Sequence, residues 1–116
     1  MPPDERDAQR IREMIAFARE ALEYVEGRSL DEYLADGVRR RAVERVVELI
    51  GEAASGISQE FRSAHPEIAW AKMRSQRNML IHEYGIVDDA RIYRLVIEVI
   101  PALPEVLEAL LDPSSR

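Results

Sequence analysis

The chain of 116 residues contains no cysteine, which excludes disulfides and thiolate chemistry and fits a reducing compartment. Five glycines and six prolines are too few for the many tight turns of an all-β fold. Aromatic residues make up 6% and there are two histidines, so any chemistry must come from a short list of side chains. Arg, Glu or Asp interrupts every apolar run, and no segment reaches the roughly 20 residues a membrane helix needs. The start, Met1-Pro2-Pro3-Asp4-Glu5, is acidic and has no apolar centre, unlike a secretory leader. These features predict a cytoplasmic protein without a membrane partner. The formal net charge of −6 argues against a protein that coats nucleic acid non-specifically. An enzyme with a local basic cleft remains compatible with that total.

What is present is helical patterning. Hydrophobic residues at 47% and charged residues at 33% are the balance of a folded domain. Ile11, Met14, Ile15, Ala18, Leu22 and Val25 form an amphipathic stripe predicting a helix over about 4–26. Gly27 supplies its stop, and Ser29 caps a short helix through Ala35, with Asp31 and Glu32 in its first turn. Gly37 breaks the chain before a second long helix, about 38–54, whose inner face carries Val38, Ala42, Val43, Val46, Leu49, Ile50 and Ala53. Ser58 caps another short helix ending near Ala64, and His65-Pro66 marks a boundary. A helix over about 69–83 ends at Gly85, positioned as a left-handed cap. Asp88 and Asp89 open the last helix, with Ile92, Val96, Val99 and Ile100 on one side. Pro101 and Pro104 kink or restart it before Leu107, Leu110 and Leu111. The fold expected is all-α: one domain over 1–116, an up-and-down bundle of about four main helices with short connectors, fraying at 1–4 and 112–116.

Among chemistry-bearing residues, His65 precedes a proline in a connection and reads as a surface or capping residue. His82 lies in Arg77-Asn78-Met79-Leu80-Ile81-His82-Glu83-Tyr84. Asn78 and His82, four apart, share a helix face, where the amide can hold one imidazole tautomer. Arg77 stands about 140° from His82 around such a helix, so both can border one cleft. A neutral imidazole can take a proton from a ribose 2′-hydroxyl, and a guanidinium offers paired donors to a phosphate gaining charge. The pair suffices for RNA cleavage by internal attack without a metal. Spacing alone does not decide for catalysis, because Arg and His near a helix C-terminus also complement its dipole. No His pair and no close carboxylate cluster has metal-ligand spacing, so neither a metal nor a cofactor is expected.

Lys72 and Arg74 are candidate RNA contacts, as are Arg39, Arg40, Arg41, Arg45, Arg91 and Arg94. A charge run is more often a solvated face, and Glu44 and Glu48 can offset the basic side of the second long helix. Trp70 and Tyr33 read as core or interface aromatics. Glu52 sits in a small, apolar stretch where a charge calls for a partner, either an arginine of the bundle or of a dimer mate.

Arg77-x4-His82-x-Tyr84 resembles the signature of the HepT-like branch of the HEPN superfamily. Ile50-Gly51-Glu52-Ala53-Ala54, Phe61-Arg62, His65-Pro66, Trp70 and Ile100-Pro101-x-Leu103 are similar to that branch in order and spacing over about 8–111. One departure is Ser75-Gln76, where the family often has a small residue and Met; it bears on local packing rather than chemistry. The resemblance implies a homodimer that brings two Arg/His pairs into an intersubunit cleft. It further implies a metal-independent endoribonuclease, the toxin of a type VII-like toxin–antitoxin pair, acting on tRNA or mRNA. The implied partner is a minimal nucleotidyltransferase antitoxin that transfers AMP from ATP onto the motif's tyrosine, Tyr84. The alternative is a non-catalytic helical subunit that binds and regulates a nucleotidyltransferase, with the motif as a docking and modification site.

Overall fold

In the computed structural model, residues 3–74 and 88–112 are described. They form helices with no strand among them: α1 (Glu5–Val25), α2 (Leu30–Ala35), α3 (Gly37–Gly56) and α4 (Gln59–Ala64). A further helical stretch, α5 (70–74), precedes α6 (Asp89–Glu98), a 3₁₀ turn (Ile100–Ala102) and α7 (Leu103–Leu111). The expected all-α architecture holds, with two helices of about twenty residues and shorter pieces laid around them. No helix among the described residues is long and apolar enough to cross a membrane.

Polar residues just outside each helix set where it begins. Asp4 accepts the Asp7 N–H at 2.8 Å, so this residue of the expected fraying end is the N-cap of α1. Gly27, at φ +70°, turns the chain after α1. Ser29 and Glu32 form a reciprocal capping box: Ser29 Oγ accepts from Glu32 N at 3.2 Å and Glu32 Oε1 accepts from Ser29 N at 2.9 Å. Ser58 and Asp88 cap α4 and α6 through bonds to Phe61 N and Arg91 N. Pro101 and Pro104 occupy first-turn positions of the 3₁₀ turn and α7, where the missing N–H costs nothing.

Gly37 differs from expectation. It is the first residue of α3 rather than a break before it, because Asp36 caps that helix by accepting Arg39 N–H at 3.0 Å. Asp36 also closes α2, so one residue joins two helices. Val38, expected on the inner face, is 84% exposed. The reason is angular. The buried stripe of α3 is Val43, Val46, Val47, Ile50, Ala53 and Ala54, and Val38 stands about 140° from Val43 at 100° per residue. Ala42 and Leu49 flank that stripe and are half-buried.

The core is the α1–α3 contact. Ile11, Met14, Ile15, Ala18, Ala21 and Val25 of α1 meet the α3 stripe, and Ile92, Leu95, Val96, Leu103 and Leu107 close it from α6 and α7. Tyr33 from α2 is fully buried in the same cluster. Two polar contacts pin helix ends onto this pair. Arg39 Nη1 donates to the Tyr24 carbonyl at 2.8 Å, bringing a cation to the C-terminal turn of α1. Asp7, a carboxylate only 4% exposed, accepts from Ser58 N at 2.8 Å and Ser58 Oγ at 2.7 Å, fixing the start of α4 on α1.

Candidate active site

Arg77, Asn78, His82 and Tyr84 lie outside the described residues, as do Gly85 and most of the helix expected over 69–83. The described residues show what holds each side of that stretch.

On its leading side, the chain leaves α4 at His65, whose carbonyl accepts both the Ile68 N–H at 3.2 Å and the Trp70 indole N–H at 2.9 Å. The proline after His65 ends α4, and these two bonds fold the connection back under Trp70. Trp70, 6% exposed, and Met73, 3% exposed, enter the core from α5. The His65 ring packs against Phe61 with centroids 4.4 Å apart, and its Nδ1 lies 3.2 Å from Glu67 Oε2. His65 is therefore a helix-closing residue, as its place before proline suggests. Lys72 and Arg74, the candidate RNA contacts, are exposed and make no ion pair among the described residues.

On its far side, Asp88 caps α6 and the next residue ties that helix to α3. Asp89 Oδ2 accepts from Arg40 Nη1 at 2.9 Å, across 49 positions of sequence. Glu44, one turn along α3 from Arg40, is close enough to the carboxyl of Asp89 for the two acids to interact. Burial first, then the interaction with Asp89 and its negative charge, push Glu44 up to about 7, against the pull of Arg40 and Arg41. The Tyr33 hydroxyl, buried without a hydrogen-bond partner among the described residues, lies near the same groups; burial, with Asp89 and Glu44, drives it far above the usual phenol range. Its ring meets Tyr93 at 5.2 Å.

A pH prediction follows from Glu44. Its folded-state affinity for protons exceeds that of the unfolded chain, so its contribution is complete below about pH 4.5 and is lost as pH rises through about 7. With partial exposure screening the effect, the loss is roughly 1–2 kcal/mol. Glu44→Gln offers Asp89 a donor without a titrating group. Thermal melts at pH 5 and pH 8 should show the wild type losing several degrees more than the variant. Parallel losses would show that Glu44 carries no such burden.

Other expectations resolve individually. Arg39, Arg40 and Arg45, considered as RNA contacts, are engaged by Asp36, Asp89 and Glu48, whereas Arg41, Arg91 and Arg94 form no ion pair among the described residues. Glu48 does offset α3's basic side, bonding Arg45 at 2.7 Å. Glu52 is exposed, so it bears no burial cost and shows no ion pair among the described residues. The Arg40–Glu44–Asp89 group escaped sequence reasoning, which saw Asp89 only as a helix-opening charge. Among the described residues no group of three or more His, Cys, Asp or Glu is set to hold a metal.

Comparison with known proteins places these residues in a family. The family described as "Ribonuclease HepT-like" matches residues 6–110, nearly the whole chain. A Thermococcus cleftensis protein provisionally named ribonuclease HepT is 38% identical over 95 residues, covering 78% of this chain and 86% of that one. A provisionally named RNase of Caldanaerobacter subterraneus subsp. tengcongensis is 34% identical over 91 residues, 78% of this chain and 81% of its own. Another from Methanocaldococcus jannaschii is 30% identical over 96 residues, 83% and 88% of the two chains. No solved structure matches the chain significantly. With its helical core, its caps and the intact Arg77-x4-His82-x-Tyr84 string inside the matched span, the chain belongs to the HepT-like ribonuclease family of the HEPN superfamily.

Proposed function

We propose that this protein is a metal-independent endoribonuclease and the toxin of a toxin–antitoxin pair, with Arg77 and His82 as its reactive residues. The observation that carries the reading is the family match over residues 6–110, which encloses an unaltered Arg77-x4-His82-x-Tyr84. The anchored flanks, Trp70 on one side and Asp89 on the other, support it, because a reactive pair needs fixed neighbours to hold its geometry.

In this reading a neutral His82 imidazole takes the proton of a ribose 2′-hydroxyl, whose oxygen attacks the adjacent phosphorus. The P–O5′ bond breaks, an imidazolium returns a proton to the departing oxygen, and a 2′,3′-cyclic phosphate remains. Arg77 meets the growing negative charge on the phosphate oxygens with two fixed donors. Asn78 orients His82. A homodimer supplies two such pairs in one cleft, and a micromolar sample should sediment as a dimer. A nucleotidyltransferase antitoxin silences the site by adding AMP to Tyr84, two residues from His82, where a bulky anion repels the RNA backbone.

Expression of the chain alone tests the biological half of this reading. Growth arrest with new RNA fragments is expected, and His82→Ala should abolish both. Unchecked growth and intact RNA, from folded protein with Tyr84 unmodified, would transfer the reading to a non-catalytic partner of a nucleotidyltransferase.

A further inference from the structure

An open groove of about 700 Å³ runs between α4 and α5, on the part of the chain that precedes the motif in sequence. Arg62, Lys72 and Arg74 line it with Gln59 and Ser63, and no Asp or Glu contributes to its wall among the described residues. In a chain of net charge −6 that is an uneven distribution. Six other arginines, Arg10, Arg12, Arg19, Arg39, Arg40 and Arg45, are paired to carboxylates, whereas none of these three cations has an ion pair among the described residues.

Arg62 adds a second, independent sign. Its Nη1 is buried and has no hydrogen-bond acceptor among the described residues. A buried guanidinium N–H left without an acceptor is costly, so Arg62 is a cation that the described residues do not fully satisfy. The floor is not a stacking platform, because Trp70 is buried and its indole N–H is committed to the His65 carbonyl. What the groove offers is charge and neutral donors without an exposed aromatic face, which suits a phosphate chain better than a base.

We propose that this groove binds the sugar–phosphate backbone of single-stranded RNA on one flank of the cleavage position, through Arg62, Lys72 and Arg74. The proposal rests on the ribonuclease reading for its ligand and extends it to a substrate track. Contact there is independent of base identity, so it supplies affinity and register while leaving sequence choice to residues nearer the cut.

The test measures binding, separately from cleavage. The full-length chain in a His82→Ala background is titrated against a fluorescein-labelled 12-nucleotide single-stranded RNA, with anisotropy read from 50 to 300 mM salt. Each lost phosphate contact lowers the slope of log K against log salt by about 0.7, so Arg62→Gln/Lys72→Gln/Arg74→Gln should lower it by about 2 and weaken binding at least tenfold. Lys72→Gln/Arg74→Gln, which changes only exposed side chains, should lower the slope by about 1.4 and guards against misfolding of the triple variant. Arg12→Gln/Arg19→Gln on α1, which removes the same charge from arginines already paired to Glu5 and Glu108, should change affinity less than twofold. An unchanged slope in the groove variants, or an equal loss in the α1 variant, overturns the proposal. So does displacement of the RNA by polyglutamate at equal charge concentration, which would assign the groove to an acidic polypeptide. Because no cleavage is read, failure here leaves the roles of Arg77 and His82 standing, and failure of those roles leaves this result readable.

Discussion

Purified His82→Ala is expected to cleave RNA about 10²–10⁴-fold more slowly than the wild type, the span that a positioned acid–base group contributes. Arg77→Ala should cost about 10²–10³-fold, since the guanidinium supplies charge at the phosphate rather than moving a proton. Arg77→Lys should recover only part of that loss, because an ammonium offers a point charge without the planar fork. The double variant should be little slower than His82→Ala, since residues that act on one transition state do not multiply. Initial rates on a labelled oligonucleotide give these numbers, and melting curves establish that each variant is folded. A His82→Ala protein within threefold of the wild type would remove the imidazole from the mechanism.

The largest structural effect is expected at Trp70. Its side chain is 6% exposed in the main core, and its indole N–H donates to the His65 carbonyl at 2.9 Å. Trp70→Ala removes the packing and the bond together and should cost about 3–5 kcal/mol. That is a large share of the roughly 5–15 kcal/mol available to a folded domain. Trp70→Phe keeps an aromatic body but loses the donor and part of the indole's volume; the His65 carbonyl still accepts from Ile68 N, so the cost should be about 1–2 kcal/mol, well below that of Trp70→Ala. Urea melts of the three proteins decide this. Because Trp70 holds the connection that leads toward Arg77, Trp70→Phe should also lower cleavage by a few-fold without greatly changing stability. A Trp70→Ala midpoint matching the wild type would show that the indole does not anchor this end.

Local chemistry was readable from the sequence and distant pairing was not. Ser29, Ser58, Asp88 and the two late prolines act where their positions suggest, because a cap or a proline acts on backbone within three or four residues. Val38 misled because an apolar residue at the start of a helix looks like core until the stripe's angle is fixed by its neighbours across the bundle. Asp7 with Ser58, Arg39 with the Tyr24 carbonyl, and Arg40 and Glu44 with Asp89 join residues that only folding brings together. No local pattern announces them. The candidate site shows the same division. Arg77, His82 and Tyr84 stand out in the sequence as a short string, whereas the carboxyl pair and the indole bond on either side of it in the chain form only when the helices pack. Arg62 is the sharpest case: one half of Phe61-Arg62 in the family likeness, it becomes part of a cationic wall only when α4 and α5 are set side by side.

The central claim is that this chain cuts RNA by internal attack through His82, and the chemistry of the cut ends tests it most directly. Purified wild-type protein, free of AMP on Tyr84, would be incubated with single-stranded RNA in excess chelator and the products weighed by mass spectrometry. Fragments ending in 2′,3′-cyclic phosphate, matched by 5′-hydroxyl ends and missing with His82→Ala, are what the account predicts. Intact RNA, or fragments formed equally by His82→Ala, would contradict it.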